Sequence, residues 1–95
     1  EVELFFLQLE CVDRAAVFGI NDRIRGVQLI AALYPKLGFK IDVSKIRKVF
    51  RERMPYYQIP RKIFIVNDWP ILKAGKTDLT VLENIVTEMV ASNND

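Results

Sequence analysis

Two apolar stretches close together in the chain constrain its fold more than any other feature, because they predict a β-hairpin. Residues 14–20 (Arg-Ala-Ala-Val-Phe-Gly-Ile) are typical of a buried strand, and residues 27–34 of a second strand. Residues 21–26 between them contain Asn, Asp and Gly, which turns favour. The two strands should therefore pair in an antiparallel hairpin with a long loop.

Apolar residues at helical spacing predict three helices around this hairpin. The first covers residues 2–9, the second opens after Asp42 as N-cap and runs to about Met54, and the third begins at Leu79. The apolar positions that define these helices are Val2, Phe5, Phe6 and Leu9; Val43, Ile46, Val49 and Phe50; and Leu79, Leu82, Ile85, Val86, Met89 and Val90. Residues 92–95 are polar, and we expect a frayed tail there.

Two prolines define the segment that follows the second helix. Pro55 and Pro60 bracket residues 56–59, and because proline disfavours helix we predict an extended crossing there. Residues 62–66 are then a third strand. The order α-β-β-α-β-α predicts one α+β domain over residues 1–95, in which helices cover a three-stranded, mainly antiparallel sheet.

Composition excludes several kinds of chemistry. The 95 residues contain no histidine, so a catalytic triad with an imidazole base and a His-bearing zinc site are both impossible within this chain. Cys11 is the sole cysteine, so an internal disulfide is excluded, and we favour a buried structural thiol. A chain without disulfides suits a reducing compartment, so we expect the cytoplasm. A net charge of only +2 does not indicate that the chain binds nucleic acid. No apolar run approaches the roughly 20 residues of a transmembrane helix.

The segment Pro-Ile-Leu-Lys-Ala-Gly-Lys-Thr-Asp at residues 70–78 places a lysine between the third strand and the last helix. A lysine on a glycine-containing loop can enter a pocket on another surface while the elements behind hold the loop; the alternative is a solvated loop lysine. Gly75 suits a turn that needs positive φ, or close approach to a partner, and both roles stay open. Asp78 should cap the last helix.

Four segments, taken in order, extend this pattern over almost the whole chain. They are residues 1–20, the turn with Asp22 and Gly26, the crossing at residues 54–60, and the loop at residues 70–78. Together they resemble the C-terminal domain of adenylate-forming enzymes, which include acyl- and aryl-CoA synthetases, peptide-synthetase adenylation domains and luciferase-like ligases. Ala74 and Leu79 depart from the residues that are usual in this family.

The resemblance implies a function for the loop. Such enzymes activate a carboxylic acid with ATP as an acyl-adenylate and transfer the acyl group to coenzyme A, with Mg²⁺ in the intact enzyme. Lys76 would be the catalytic residue, Gly75 and Lys76 would contact the nucleotide, and acetylation of Lys76 should stop adenylation. No metal would be bound by this chain itself.

The resemblance also implies a larger partner domain. The chain would be the mobile C-terminal lid of an AMP-forming ligase, with the hinge and the N-terminal ATP- and substrate-binding domain lying before Glu1. By itself the chain should then be inactive and bind ATP and coenzyme A weakly or not at all. The carboxylic acid is not specified by these residues, and a carrier protein is an alternative acceptor.

Three other interpretations remain at this stage. The chain could be a stand-alone α+β protein-interaction module without catalytic activity. The cations of the second helix could form a nucleic-acid patch, although Glu52 interrupts them and a solvated helix face is favoured. Tyr56, Tyr57 and Trp69 could form an aromatic binding surface, although packing of the crossing segment is favoured.

Overall fold

A computed structural model describes residues 2–93 and confirms the predicted α+β order. The elements are α1 (Val2–Leu7), β1 (Val12–Asp22), β2 (Gly26–Pro35), α2 (Val43–Arg53), β3 (Lys62–Ile65) and α3 (Leu79–Asn93), with a 3₁₀ turn at Tyr56–Gln58. Within residues 2–93, no helix combines the length and the apolar character that crossing a membrane requires.

The sheet is mixed, with strand order β1-β2-β3. β1 and β2 form the predicted antiparallel hairpin and pair along their lengths. β3 lies parallel to β2, from Ile30 opposite Lys62 to Leu33 opposite Ile65. Parallel neighbours need a long crossover connection, which α2 and the crossing segment provide. The antiparallel ladder is the longer one, so the sheet is mainly antiparallel.

β2 is the central strand and divides the core into two clusters. Ala31 and Leu33 belong to the cluster under α1 and α2, whereas Ile30 and Ala32 belong to the cluster under α3. Successive side chains of a strand point to opposite faces, so this apolar run serves both clusters. The domain therefore has three layers, with two helices on one face of the sheet and one on the other.

α2 is tied to its surroundings at its start and along its side. The Asp42 carboxylate accepts a hydrogen bond from the Lys45 backbone N–H at 3.3 Å, which confirms the predicted N-cap. The Arg47 guanidinium donates to the carbonyl oxygens of Pro60 at 2.9 Å and of Arg61 at 3.3 Å. Burial lowers the pKa of Arg47. One cation of the helix is therefore a structural link to the crossing segment.

The crossing segment differs from its predicted extended form. Residues 56–58 form a 3₁₀ turn, which is closed by hydrogen bonds from the Gln58 N–H to the Pro55 carbonyl and from the Ile59 N–H to the Tyr56 carbonyl. The turn projects both tyrosines outward, so Tyr56 is 86% and Tyr57 68% exposed. The packing prediction is wrong for these two residues and correct for Trp69, which is buried.

The ends of α1 and α3 also differ from the sequence prediction. α1 ends at Leu7 rather than at residue 9, and Cys11, which follows it, is only half-buried against the core. α3 continues through Ser92 and Asn93, which the prediction had placed in a polar tail. The rest of that predicted tail, residues 94 and 95, and the predicted start at Glu1 lie outside the described residues.

The aromatic cluster between α1 and α2 generates a stability prediction. The fully buried Phe50 ring has its centroid 4.4 Å from that of Phe5 and 5.1 Å from that of Phe6. We expect Phe50→Ala to lower the free energy of unfolding by about 3–5 kcal/mol in urea titrations, because it leaves a cavity. Leu37→Ala, at a fully exposed position, should change it by no more than about 0.5 kcal/mol. Similar losses in both variants would contradict this account of the core.

Candidate functional site

The loop that carries Lys76 is a small hairpin with a glycine at its bend. The Leu72 N–H donates to the Lys76 carbonyl at 2.7 Å, and the Gly75 N–H donates to the Leu72 carbonyl at 2.8 Å. Gly75 has φ +90°, as three-residue hairpin loops with a left-handed last residue require. The predicted positive φ is confirmed. A Cβ at Gly75 would meet no atom within 4 Å, so backbone conformation alone selects glycine within this domain.

The base of this hairpin is joined to the core by side-chain and backbone hydrogen bonds. The buried Trp69 indole donates from Nε1 to the Thr77 hydroxyl at 2.8 Å. Ile71 and Thr77 form an isolated antiparallel bridge, and the Asp78 N–H donates to the Pro70 carbonyl at 2.9 Å. The hairpin is thus held at both of its strands, close to the residue that carries the ammonium.

Asp78 joins the hairpin to α3. Its carboxylate accepts a hydrogen bond from the Val81 backbone N–H at 3.2 Å, and its carbonyl accepts one from the Leu82 N–H at 2.9 Å. This is the geometry of a helix N-cap, so the predicted structural role is confirmed. Leu82 is fully buried in the cluster under α3, and the start of the helix is therefore fixed relative to the sheet.

Lys76 points away from the anchored side of the hairpin. Successive side chains of an extended segment alternate in direction. Thr77 is half-buried and also accepts from Arg14 at 3.5 Å, whereas Lys76 is exposed. Within residues 2–93, no hydrogen bond or ion pair engages the Lys76 ammonium. The charge is available to a group outside the domain.

Exposed apolar side chains flank the hairpin. We call them the apolar rim; its members are Ile71, Leu72, Leu79 and Val81. The sequence did not predict the rim: Leu79 was assigned to the apolar positions of the last helix, and the other three residues were given no separate role. A cation amid exposed apolar surface is the arrangement expected where a loop packs against another surface.

The hairpin, residues 71–77, carries two lysines and no acidic side chain. Lys73 and Lys76 are the charged residues of the hairpin, and both are exposed. Across the described part of the chain, no group of three or more His, Cys, Asp or Glu residues could hold a metal ion. The hairpin can therefore donate hydrogen bonds to anions and offset negative charge.

Comparison with known proteins identifies the family. Over residues 1–76 the chain matches the sequence model described as the AMP-binding enzyme C-terminal domain, and it belongs to that family. This confirms the resemblance noted in the sequence. The match ends on Lys76.

Individual relatives share the domain at modest identity. The 2-succinylbenzoate–CoA ligase of Geobacillus sp. (strain WCH70) is 30% identical over 74% of this chain and 14% of its own length. The mitochondrial medium-chain acyl-CoA ligase of Mus musculus is 30% identical over 80% of this chain and 12% of its own length. The chain thus spans only a small part of the curated relatives it matches.

A solved structure shares the fold. The anthranilate CoA ligase AuaEII, determined in complex with anthranoyl-AMP, matches 95% of this chain and 18% of its own. The TM-score is 0.78 at 26% sequence identity. The α+β arrangement of this chain therefore recurs as part of a larger ligase.

The backbone at the bend gives a prediction for the hairpin. We expect Gly75→Ala to lower the free energy of unfolding by about 1–2 kcal/mol, since a left-handed conformation is costly for a residue with a Cβ. Gly75→Asn should cost less, because asparagine adopts this conformation more readily. Urea titration of both variants provides the measurement. An Ala variant as stable as the unmodified chain would contradict the assigned role of the bend.

Proposed function

We propose that this chain is the C-terminal, catalytic-lysine domain of an ATP-dependent, AMP-forming acyl-CoA ligase. The observation that carries the proposal is the Lys76 ammonium, which is exposed, engages no described residue, and lies at the end of an anchored hairpin. Family membership supplies the chemical context.

The proposed reaction needs a positive charge, which this domain would bring to substrates held by the larger domain. A carboxylate oxygen attacks the α-phosphorus of ATP, a bond to phosphorus forms, and pyrophosphate leaves. Two anions must approach each other, and an ammonium that donates to both offsets their repulsion. At an effective dielectric constant near 20, a pair of unit charges at ~4 Å interacts with about 4 kcal/mol. Because the hairpin is held by the core, Lys76 could meet these oxygens with little reorganisation.

The proposed substrate class comes from what the relatives' names share. These relatives are named as CoA ligases of 2-succinylbenzoate, of medium-chain acyl groups and of anthranilate. We extend to this chain only their common chemistry, which is a carboxylic acid joined to coenzyme A. The identity of the acid would depend on a pocket that this domain does not form.

The chain would act as a mobile lid on a larger N-terminal domain of the same polypeptide. The apolar rim offers a contact surface around Lys76, and apolar contact would position the ammonium over the bound substrates. Exposed Lys76 suits the anionic oxygens of ATP, whereas the described residues hold no carboxylate cluster for Mg²⁺. We propose that Mg²⁺, ATP and coenzyme A are bound mainly by the larger domain. We also propose a cytoplasmic location.

A substitution in the full-length protein tests the role of Lys76. Lys76→Ala should lower the rate of acyl-adenylate formation about 10²–10³-fold, which is the usual cost of losing one preorganised donor. Thioester formation from supplied acyl-adenylate should be largely unaffected, because the lysine serves the first step. Pyrophosphate release and thioester formation are measured separately.

Lys73→Ala is the matched control, since it removes another exposed lysine from the same hairpin. We expect it to leave both rates within about twofold, because surface substitutions are usually small in effect. Equal loss of both steps in Lys76→Ala, or equal effects in the two variants, would contradict the proposal. Normal activity in Lys76→Ala would show that the ammonium has no part in the reaction.

The 95-residue chain by itself should be catalytically inert. It would supply one cation to a reaction whose substrates are held by the larger domain, so we expect no pyrophosphate release from ATP with any carboxylic acid. Calorimetric titration should show weak or no binding of ATP and of coenzyme A. Acyl-adenylate formation by this chain alone would show that the larger domain is unnecessary.

A further inference from the structure

Positive charge is concentrated in α2. Val43–Arg53 contains five basic residues and one acidic residue, so the helix has a net charge of +4, whereas the whole chain has +2. The rest of the chain is therefore slightly acidic. Arg47 is used by the fold, but four further cations of the helix are exposed, and the function proposed above uses none of them. These are Lys45, Lys48, Arg51 and Arg53.

The fold does not neutralise these cations. Within residues 2–93, the four exposed side chains make no hydrogen bond or ion pair. Lys48 and Arg51 are three residues apart and are neighbours on one helix face. Arg51 also lies one turn beyond Arg47, and burial, together with the charge of Arg51, lowers the pKa of Arg47. The cations are thus close enough to repel one another, and an anionic partner would relieve that repulsion.

Two exposed tyrosines lie directly beyond the end of this helix. Tyr56 follows Arg53 by three residues, and its ring contacts that of Tyr57 edge to face, with the centroids 5.9 Å apart. Backbone hydrogen bonds close their turn, and the Arg47 guanidinium ties the crossing segment to α2. Arg51 is on the same side of the helix as Arg47 and one turn nearer to the tyrosines. We call this surface the basic–aromatic face; its members are Lys48, Arg51, Tyr56 and Tyr57.

We propose that the basic–aromatic face binds an acidic segment of a partner protein, in which carboxylates flank an apolar side chain. Arginine and tyrosine are among the residues that contribute most to binding in protein interfaces. Lys48 and Arg51 would pair with the carboxylates, and the tyrosine rings would cover the apolar side chain while their hydroxyls stay in water. Because backbone hydrogen bonds already hold the turn, little conformational entropy would be lost on binding.

The tyrosine pair and the one acid of the helix favour a protein partner over a nucleic acid or a membrane. The two ring planes are 83° apart, so both rings cannot stack with neighbouring, nearly parallel bases of a single strand. Glu52 is exposed and lies one turn from Lys48. A phosphate backbone or an anionic bilayer would repel Glu52, whereas a protein segment can place a donor against it.

Titration of the ¹⁵N-labelled 95-residue chain, followed by NMR, tests the proposal. The probes are a short peptide of glutamate and leucine, the same peptide with glutamine in place of glutamate, single-stranded oligothymidylate, and phosphatidylcholine vesicles that contain phosphatidylglycerol. We expect saturable shifts of the Arg51, Tyr56 and Tyr57 amides with the acidic peptide. No such shifts, or equal binding of the glutamine peptide, would overturn the proposal. Tighter binding of oligothymidylate or of the vesicles would overturn it in favour of a nucleic acid or a membrane.

Paired charge substitutions separate this face from general charge attraction. Lys48→Gln combined with Arg51→Gln should weaken binding of the acidic peptide about tenfold, as expected for loss of two exposed ion pairs. Lys36→Gln combined with Lys73→Gln removes the same charge from exposed positions that follow the far ends of β2 and β3. We expect this control to change the affinity less than about twofold. Equal weakening by the two double variants would overturn the proposal.

Substitution of the tyrosines tests the aromatic half of the face. Tyr56→Ala combined with Tyr57→Ala leaves every charge in place and should weaken binding of the acidic peptide about tenfold, through loss of the apolar contact. Circular dichroism checks that each variant is folded, and both side chains are exposed, so the fold should be retained. Unchanged affinity in this folded variant would reduce the interaction to charge alone and overturn the proposal.

The outcome is independent of the proposed ligase activity. The basic–aromatic face precedes β3 in the chain, whereas the Lys76 hairpin follows that strand. Binding is measured without ATP, coenzyme A or a carboxylic acid substrate. A positive titration with a failed Lys76→Ala experiment would leave this surface standing, and the reverse combination would leave the ligase proposal standing.

Discussion

Burial of β2 on both faces is the constraint on which the structure depends. Its successive side chains point alternately into the cluster under α1 and α2 and into the cluster under α3. Every layer of the domain therefore packs against this strand. β1 and β3 are placed by pairing with it, one antiparallel and one parallel. The position of the Lys76 hairpin follows, because the hairpin begins a few residues after β3 and is attached through buried Trp69.

The Trp69–Thr77 hydrogen bond connects this core to the proposed chemistry. Alternation along the short bridged segment sends Thr77 inward to the indole and Lys76 outward to solvent. The same contact that holds the hairpin therefore determines the direction of the ammonium. Because the hairpin is already held in place, it would lose little conformational entropy if the lysine bound a target.

Most of the fold could be predicted from sequence because hydrophobic period and turn chemistry agreed locally. The two apolar strands, Asp42 as a cap and the helical period of α3 each specified an element without reference to the rest of the chain. The parallel placement of β3 was not visible, because strand order depends on which edge of β2 remains open after the hairpin has formed. The outward direction of Tyr56 and Tyr57 was also missed, since it arises from a 3₁₀ turn that the flanking prolines permit but do not encode.

For the candidate site, Gly75 and Asp78 were predictable from turn and cap chemistry, whereas the proposed role of Lys76 rests on the family resemblance. The apolar rim was not predictable, because Leu79 has the helical spacing of a core residue and apolar residues outside that spacing do not reveal whether they are exposed.

The parallel pairing of β2 with β3 also implies an order of assembly. The β1–β2 hairpin closes over a few residues and can form early, whereas the β2–β3 ladder must close a long loop that contains α2, which is entropically slower. Trp69, which donates to Thr77, packs in one cluster with Phe64 of β3, so its placement depends on that ladder. The lysine should consequently acquire its orientation late in folding, so partly folded chains would not yet display the charge in its native position.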